Sequence, residues 1–447
     1  MIPLCIARNM AKTKKITKHK AFTFIQELGG ISEYLHKKNG LRVLLWEDHS
    51  APVVALNVTY LVGSRNEAVG HTGATHLLEH LMFKGSKKFN KKTGKLIDQI
   101  VFGMGAKANA TTWFDRTNYW ELLPSERLPE LIELEADRMR GAILDEKDRA
   151  SEMTVVRNEF ERGENEPMEA LDKEIWATAF REHPYHHPTI GWRSDIENMS
   201  IERLRQFYNT FYWPNNAYLV LTGDLPSGCL NLVEKYFGRI KPSSERIPKM
   251  YTTEPAQEGP RRITLRRAGQ MPIVGIAHKI PKVLHQDQYV LDVLAGVLGK
   301  GRSSRLYRAL VDPALAIDVS VNNSSFRDGG LLITYARLVS SESPEKIEKI
   351  VLREYHKIIK EGITEEELAR EKYNARIQRA FTLDGPLGLS SVLNETIAGG
   401  DWRLIERFVR GINKVTLSQV RKVAEKYLSS ETSTTGFFIP YKSEPRI

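Results

Sequence analysis

Short apolar runs alternate with longer helical patterns along the first half of the chain. After Gly40, two runs rich in Val and Leu are separated by the polar turn EDHS, which predicts a pair of neighbouring strands. In THLLEHLMFKG the residues Leu77, Leu78 and Leu81 recur at helical spacing, and Gly85 can end that helix. Further patterns complete a predicted α+β fold, with KANATTWFDRTNYWELLP and AYLVLTGDL as strands and LPELIELEADRMRGAIL, ASEMTVVRNEFERGENE and ALDKEIWATAF as helices.

The pattern restarts after a proline-rich segment between Gly238 and Arg261, which contains four Pro and shows no apolar periodicity. This segment is the predicted linker. Lys84-Gly85 corresponds to Lys300-Gly301, and SIERLRQFYNTFY corresponds to TLSQVRKVAEKYL, each at an offset of 216 residues. The sequence therefore predicts two homologous halves with a linker between them, at residues 25–240, 241–260 and 261–442.

Composition and charge exclude several classes of protein. The 447 residues include only two cysteines, Cys5 and Cys229, so neither a disulfide framework nor a thiolate zinc site is expected. No run of 18 apolar residues exists, and no membrane association is predicted. The net charge of +10 allows weak attraction to polyanions, but no recognition module is visible and nucleic-acid binding is not expected.

The first residues bear on where the protein acts. The apolar stretch from Ile2 to Ala7 is too short for a secretory signal, and the basic residues lie on its wrong side. The segment before Glu27 lacks acidic residues, which leaves a mitochondrial presequence open, and Met10 is an alternative start. We predict a cytoplasmic protein and leave mitochondrial and periplasmic locations open.

The segment His76-Leu77-Leu78-Glu79-His80 is the strongest chemical signal in the sequence. On a helix, His76 and His80 lie one turn apart on the same face, with Glu79 beside them. This arrangement suits two zinc ligands and one carboxylate next to the metal water. The third protein ligand that a catalytic zinc needs can come from the helix ASEMTVVRNEF, where Glu152 and Glu159 point the same way. Glutamates on helices are more often only solvated.

This pattern resembles the inverted zinc motif of the M16 family of zinc peptidases, which includes pitrilysin, insulinase and the mitochondrial processing peptidase. The resemblance covers roughly residues 30 to 440 and includes the segments GAKANATTWFDRTNYWELLP, HPYHHPTIGWRSDIENMS and GKGRSSRLYRAL. It implies the LuxS/MPP-like metallohydrolase fold, in which two homologous α/β halves face each other around a chamber.

The resemblance also implies roles for individual residues. His76, His80 and Glu159 would bind one zinc ion (Zn2+) per chain, and Glu79 would be the general base. Glu152 would orient one of the metal ligands from behind.

Two residues of the strand-like segment after the motif would bind substrate. By resemblance, Asn109 and Ala110 hold the substrate backbone through strand addition. The implied activity is that of a zinc metalloendopeptidase that hydrolyses unfolded or short peptides. A non-catalytic scaffold or binding subunit of a larger complex is the alternative.

The second half departs from the zinc motif. At the offset of 216 residues, Asp292, Ala295 and Gly296 stand where the first half has its two histidines and its base. None of these three residues offers an imidazole, and Ala295 and Gly296 offer no ligand atom at all. The second half is therefore predicted to bind no zinc in this way.

The second half also lacks a pair of residues that active family members carry. An Arg and a Tyr follow the SSRLY segment in those members, whereas Val311 and Ile317 stand here and can donate no hydrogen bond. The resemblance therefore implies a heterodimer with a homologous zinc-less subunit that supplies the Arg and the Tyr. A homodimer is left open, as is a substitute pair in which Arg302 or Arg305 acts with Tyr307.

Overall fold

The computed structural model describes residues 19–382 and 384–441. The N-terminal segment that contains Met10, and residue 442 at the predicted domain end, lie outside the described residues. The strands of the first half are β1 (Phe22–Leu28), β2 (Ile31–His36), β3 (Arg42–Glu47), β4 (Val53–Tyr60), β5 (Lys107–Thr112), β6 (Thr117–Pro124) and β7 (Ala217–Gly223). They form one mixed sheet in the order β1-β2-β3-β7-β4-β6-β5, which leaves β5 at an edge.

Polar caps and prolines start the helices of this half where the sequence supplies them. The side chain of Asp145 accepts a hydrogen bond from the amide of Asp148, Ser200 does the same for Arg203, and Pro167 begins a helix. The described α-helices are α1 (Ala74–Leu81), α2 (Ile97–Gly103), α3 (Leu128–Gly141), α4 (Glu146–Asn165), α5 (Pro167–Ala179), α6 (Arg193–Glu197), α7 (Ile201–Phe211) and α8 (Cys229–Phe237).

The second half forms a five-stranded sheet. Its strands are β8 (Arg261–Ala268), β9 (Ile273–Ile280), β10 (Ala316–Ser325), β11 (Gly330–Leu338) and β12 (Ser433–Tyr441), in the order β10-β11-β9-β12-β8. The accompanying helices are α9 (Gln288–Gly299), α10 (Pro344–Glu361), α11 (Glu365–Thr382), α12 (Pro386–Ala398), α13 (Leu404–Asn413) and α14 (Leu417–Tyr427).

The predicted α+β fold class is confirmed, but the predicted pairing of the two runs after Gly40 is wrong. These runs become β3 and β4, and β7 lies between them, parallel to β3 and antiparallel to β4. A strand pattern reports which residues face the core, but it does not report the neighbouring strand, which here comes from far along the chain. The division at residues 241–260 stays a prediction.

The two halves exchange helices. Helix α5 belongs by sequence to the first half, yet it packs on β8, β9 and β12 of the second sheet. Helix α12 belongs by sequence to the second half, yet it packs on β4 and β7 of the first sheet. Leu171 and Ile175 of α5 and Leu389 and Leu393 of α12 are buried in these two contacts. Each sheet is therefore covered on one face by a helix from the other half.

Glycines allow the close approach of α5 to the second sheet. Gly275 and Gly436 face each other across β9 and β12. A Cβ atom at either position would overlap Ile175, so any larger residue would push the helix away. Glycine at these two positions therefore leaves room for the side chain of Ile175 against the sheet.

Each half also has a large apolar core of its own, and smaller clusters lie under the exchanged helices. Among the residues that the structure describes, no helix is both long and apolar enough to cross a membrane.

Replacing Leu171 or Leu393 by Ala should destabilise the whole chain. Both side chains are fully buried under the exchanged helices, and loss of a buried leucine in such a site costs about 2–5 kcal/mol. Urea unfolding followed by tryptophan fluorescence would measure the change. Val69→Ala is the control, because Val69 is 91% exposed and should shift the free energy of unfolding by less than about 0.5 kcal/mol. A wild-type midpoint for both leucine variants would contradict this account.

Candidate metal centre

The motif helix α1 is fixed at its start by a buried carboxylate. Glu67 accepts hydrogen bonds from the amides of Gly73 (2.9 Å) and Thr75 (2.7 Å). Amides at the beginning of a helix have no carbonyl partner within the helix. Burial raises the pKa of Glu67 to about 8. Gly73 is in the left-handed region at φ 85°, and a Cβ there would overlap the carbonyl oxygen of Ile190. The helix therefore has little freedom to shift or rotate.

The structure brings His76, His80 and Glu159 together. The two imidazoles project from the same face of α1, with ring centroids 4.8 Å apart. Each Nε2 atom lies 3.7 Å from Oε2 of Glu159, which comes from α4. The three ligand atoms all lie within 4.8 Å of one another, and each side chain stays partly exposed. This is a donor set of two nitrogens and one carboxylate that is open to solvent.

Glu152 lies behind the cluster and does not join it. Its Oε2 is 3.1 Å from Nδ1 of His80, and its Oε1 is 2.5 Å from Nζ of Lys84. A hydrogen bond at Nδ1 fixes the tautomer that leaves Nε2 of His80 free for a metal. Burial, aided by the charge of His80, lowers the pKa of His76 to about 3, so the imidazole of His76 is neutral. Nδ1 of His76 meets no hydrogen-bond partner within the described part of the chain.

Glu79 lies next to the cluster in a buried position. Its Oε2 accepts a hydrogen bond of 2.5 Å from Oγ1 of Thr112 on β5. Burial raises the pKa of Glu79, and the Thr112 hydrogen bond and the charges of His80 and Arg116 counteract part of that rise. Thr112 had no predicted role. The alternation of β5 offers a signal, since Ala110 and Thr112 share its buried face.

Strand β5 presents a free edge beside these residues. Its hydrogen-bonded neighbour is β6, and its other side has no strand among the described residues. Asn109 is exposed, and its Oδ1 accepts from the amide of Ala110 at 2.9 Å, while Ala110 itself is buried. Both residues therefore lie on a strand whose outer edge can pair with a peptide.

Arg116, which the sequence analysis also missed, connects this strand to the second half. Its Nε lies 3.0 Å from Oε1 of Glu395 on the exchanged helix α12. Its Nη1 donates to the carbonyl oxygen of Thr111 (3.0 Å) and to Oδ1 of Asn118 (2.9 Å). No local sequence signal links Arg116 with Glu395, because 279 residues separate them.

The equivalent position in the second half holds no comparable cluster within the described residues. Gly296 lies beneath the carboxylate of Glu371, and a Cβ at Gly296 would overlap it. Oδ1 of Asp292 accepts a hydrogen bond of 2.8 Å from Asn323.

Val311 and Ile317 occupy the positions that the resemblance assigns to an Arg and a Tyr, and the substitute pair of Arg302 with Tyr307 stays a prediction. Val311 is half-buried, and Ile317 is an apolar side chain that is 50% exposed on β10. Arg305 forms two hydrogen bonds with Glu367, at 2.8 and 2.7 Å, and Tyr307 packs against the second core. Arg305 is thus already occupied by a structural ion pair.

Two family models and several curated proteins match this chain. Residues 42–192 match the family model for insulinase (peptidase family M16), and residues 198–374 match the model for the M16 peptidase inactive domain. The chain belongs to the M16 peptidase family. It is 32% identical to the zinc protease PqqE of Helicobacter pylori over 90% of this chain and 91% of that one. It is also 25% identical to the uncharacterized zinc protease YmxG of Bacillus subtilis, over 88% and 95% of the two chains.

Solved structures place this M16 chain in the same fold. A protease from Helicobacter pylori superposes with a TM-score of 0.88 at 30% identity, covering 92% of this chain and all of that one. The periplasmic protease PqqL from Escherichia coli has a TM-score of 0.76 at 16% identity and shows the fold alone. The match covers 94% of this chain but 48% of PqqL, which is about twice as long. The predicted family and fold class are confirmed, and the residue roles stay predictions.

Replacing Glu152 by Gln should weaken metal binding while the fold is retained. The amide is nearly isosteric, but it loses the charge that holds His80 and Lys84, and such supporting carboxylates contribute about 10–100-fold to metal affinity. Competition with a chromophoric chelator would measure the affinity. Glu161→Gln is the matched control, because Glu161 is exposed on the same helix. Equal affinities of both variants and wild type would show that Glu152 does not support the site.

Proposed function

We propose that the protein is a zinc metalloendopeptidase that hydrolyses peptide bonds in unfolded or short peptides. His76, His80 and Glu159 would bind one zinc ion per chain, and Glu79 would act as general base. The observation that carries the proposal is the convergence of three ligand atoms within 4.8 Å, with a buried carboxylate beside them.

The residues present fit a zinc ion. Zinc prefers imidazole nitrogen and carboxylate oxygen, and three protein ligands leave one position for water or substrate. The neutral imidazole of His76 is the protonation state that can bind a metal. When bound, zinc would supply a Lewis acid that lowers the pKa of water and polarises the scissile carbonyl.

A side chain of the protein, Glu79, would carry out the proton transfer. A carboxylate oxygen of Glu79 would take a proton from the attacking water and return it to the departing amine nitrogen. Burial raises the pKa of Glu79, which makes it a better proton acceptor than an exposed glutamate. Thr112 would hold the carboxylate in one orientation through its hydrogen bond to Oε2.

The substrate would bind as an extra strand along β5. The free edge of β5 offers main-chain amides and carbonyls that bind a peptide without strong dependence on its sequence. Asn109 and Ala110 would contact the substrate backbone there. Only an extended segment can pair in this way, which favours unfolded or short peptides as substrates.

A partner subunit would complete the site. Val311 and Ile317 stand where active family members have Arg and Tyr, so a homologous zinc-less subunit would supply those groups in a heterodimer, with a homodimer as the alternative. The periplasmic protease PqqL is about twice as long as this chain, so one chain of that structural relative has room for a second unit of this size. Native co-purification that returns only an active homodimer would contradict the heterodimer.

Glu79→Gln should abolish turnover and keep the zinc. Loss of a general base costs about 10²–10⁴-fold in rate, while the three metal ligands are untouched. The measurement is cleavage of a mixture of quenched fluorescent unstructured peptides, together with the zinc content of each protein and a chelator control. Near-normal turnover of the variant would contradict the proposed mechanism. A zinc-free, silent wild type, with or without its co-purified partner, would favour a scaffold or binding subunit.

Thr112→Val should lower kcat and leave KM nearly unchanged. Valine has almost the same shape but cannot donate a hydrogen bond to Glu79, so we expect a loss of about tenfold, as for one neutral donor. Thr112→Ser keeps the hydroxyl and should retain most of the activity. Similar losses in both variants would mean that packing of β5, not the hydrogen bond, is what matters.

A further inference from the structure

A lysine-rich loop follows the motif helix and is held in one conformation. This lysine loop, residues 84–95, contains six Lys and no Asp or Glu. Its backbone is anchored by a hydrogen bond of 2.8 Å from the amide of Lys87 to the carbonyl of Gly141. Asn90 spans the loop, because its Nδ2 donates to the carbonyl of Ser86 (2.8 Å) and its Oδ1 accepts from the amide of Lys92 (2.8 Å). The lysines are therefore displayed on a turn whose backbone is hydrogen-bonded at several points.

Most of these charges have no partner. Lys84 pairs with Glu152, and Lys88 pairs with Glu133 at 2.7 Å. The other four lysines of the loop are exposed, and the described residues offer them no ion pair: Lys87, Lys91, Lys92 and Lys95. Such a concentration of unpaired charge attracts anionic groups.

A groove of about 740 Å³ lies between the lysine loop and helices α2 and α3. Its charged lining consists of three lysines of the loop and two glutamates of α3: Lys87, Lys88, Lys95, Glu130 and Glu133. Both glutamates are already paired, Glu130 with Arg127 at 3.0 Å and Glu133 with Lys88. The unpaired charge that faces the groove is therefore positive.

The groove lies where a peptide paired with β5 would leave the strand. At one end of β5, Thr112 contacts Glu79; at the other end is Lys107, about 17 Å away for a strand of this length. Met104, three residues before Lys107, lines the groove, and Lys107 itself is exposed. A peptide that continues past Lys107 reaches the groove with residues several positions from the scissile bond.

We propose that the lysine loop and its groove bind acidic side chains of the peptide substrate, away from the bond that is cut. This inference rests on the proposed function, in which the peptide pairs with β5. Carboxylates of the peptide would meet the ammonium groups of Lys87 and Lys95, and Ile100 and Met104 would contact the aliphatic parts of the peptide. The substrate class is thus extended peptides with an acidic stretch on one side of the cleavage site.

Direct binding to the zinc-loaded Glu79→Gln protein tests this assignment without turnover. Fluorescently labelled peptides share one uncharged core and carry a block of Glu or of Gln, placed at either end. Fluorescence anisotropy should show that Glu at one of the two ends lowers Kd about three- to tenfold relative to Gln, because two exposed ion pairs contribute modestly. The difference should shrink at high salt. Equal Kd values for the Glu and Gln peptides would overturn the proposal.

Charge reversal locates the site. Lys87→Glu combined with Lys95→Glu should remove the preference for Glu, whereas Lys349→Glu combined with Lys422→Glu should keep it. The control pair changes the net charge equally on exposed residues of α10 and α14. A preference that survives in the first variant, or that disappears in both, would refute the groove as its source. Tighter binding of a single-stranded oligonucleotide than of any acidic peptide, lost in the first variant, would also overturn it.

The proposed binding groove and the proposed peptidase activity can be contradicted independently of each other. Wild-type protein that cuts the neutral peptides while showing no preference for Glu would retain the proposed function and overturn the groove. Protein that cuts nothing even together with its co-purified partner, yet prefers Glu through Lys87 and Lys95, would retain the groove and overturn the peptidase.

Discussion

The exchange of α5 and α12 between the sheets is the contact on which the rest of the structure depends. Each sheet has an apolar face that must be covered, and the cover comes from the other half of the chain. Neither sheet can bury that face alone, so the halves stabilise each other as one unit. The packing at Gly275 and Gly436 is close, because a methyl group at either position would overlap the side chain of Ile175 on α5.

This exchange reaches the candidate site through one ion pair. Helix α12 carries Glu395, which binds Arg116, and Arg116 bonds the backbone of β5 at Thr111. The next residue, Thr112, donates to Glu79. The second half lacks the metal-ligating histidines, yet it helps to fix the strand that orients the proposed base. The proposed base is therefore positioned from two sides. Its own helix, α1, is held at its start by Glu67, and strand β5 is connected to the opposite half through Arg116.

Local chemistry determined how much of this the sequence could predict. The proximity of His76 and His80 could be predicted from the sequence, because residues one helical turn apart share a face in any fold. Glu152 and Glu159 also share a face, but their different contacts depend on how α4 lies against α1: Glu159 approaches both Nε2 atoms and Glu152 approaches Nδ1 of His80. The sequence alone left these two open, and the family resemblance separated them. The pairing of Arg116 with Glu395, and the insertion of β7 between β3 and β4, are tertiary contacts that no periodicity reports.

The asymmetry between the halves is built into their packing. Where the first half places histidines, the second half has Gly296 beneath the carboxylate of Glu371, and a side chain at 296 would collide with that carboxylate. Asp292 is tied to Asn323, and burial raises its pKa to about 6, which disfavours the charged form that a metal needs. A histidine placed at 296 would thus have to displace Glu371 before it could reach a metal. Within the described residues the second half has no metal-ligand cluster here, and Asp292, Gly296 and Glu371 line a cavity of about 710 Å³ instead. Its contribution to the site is the helix that covers the first sheet and reaches Arg116.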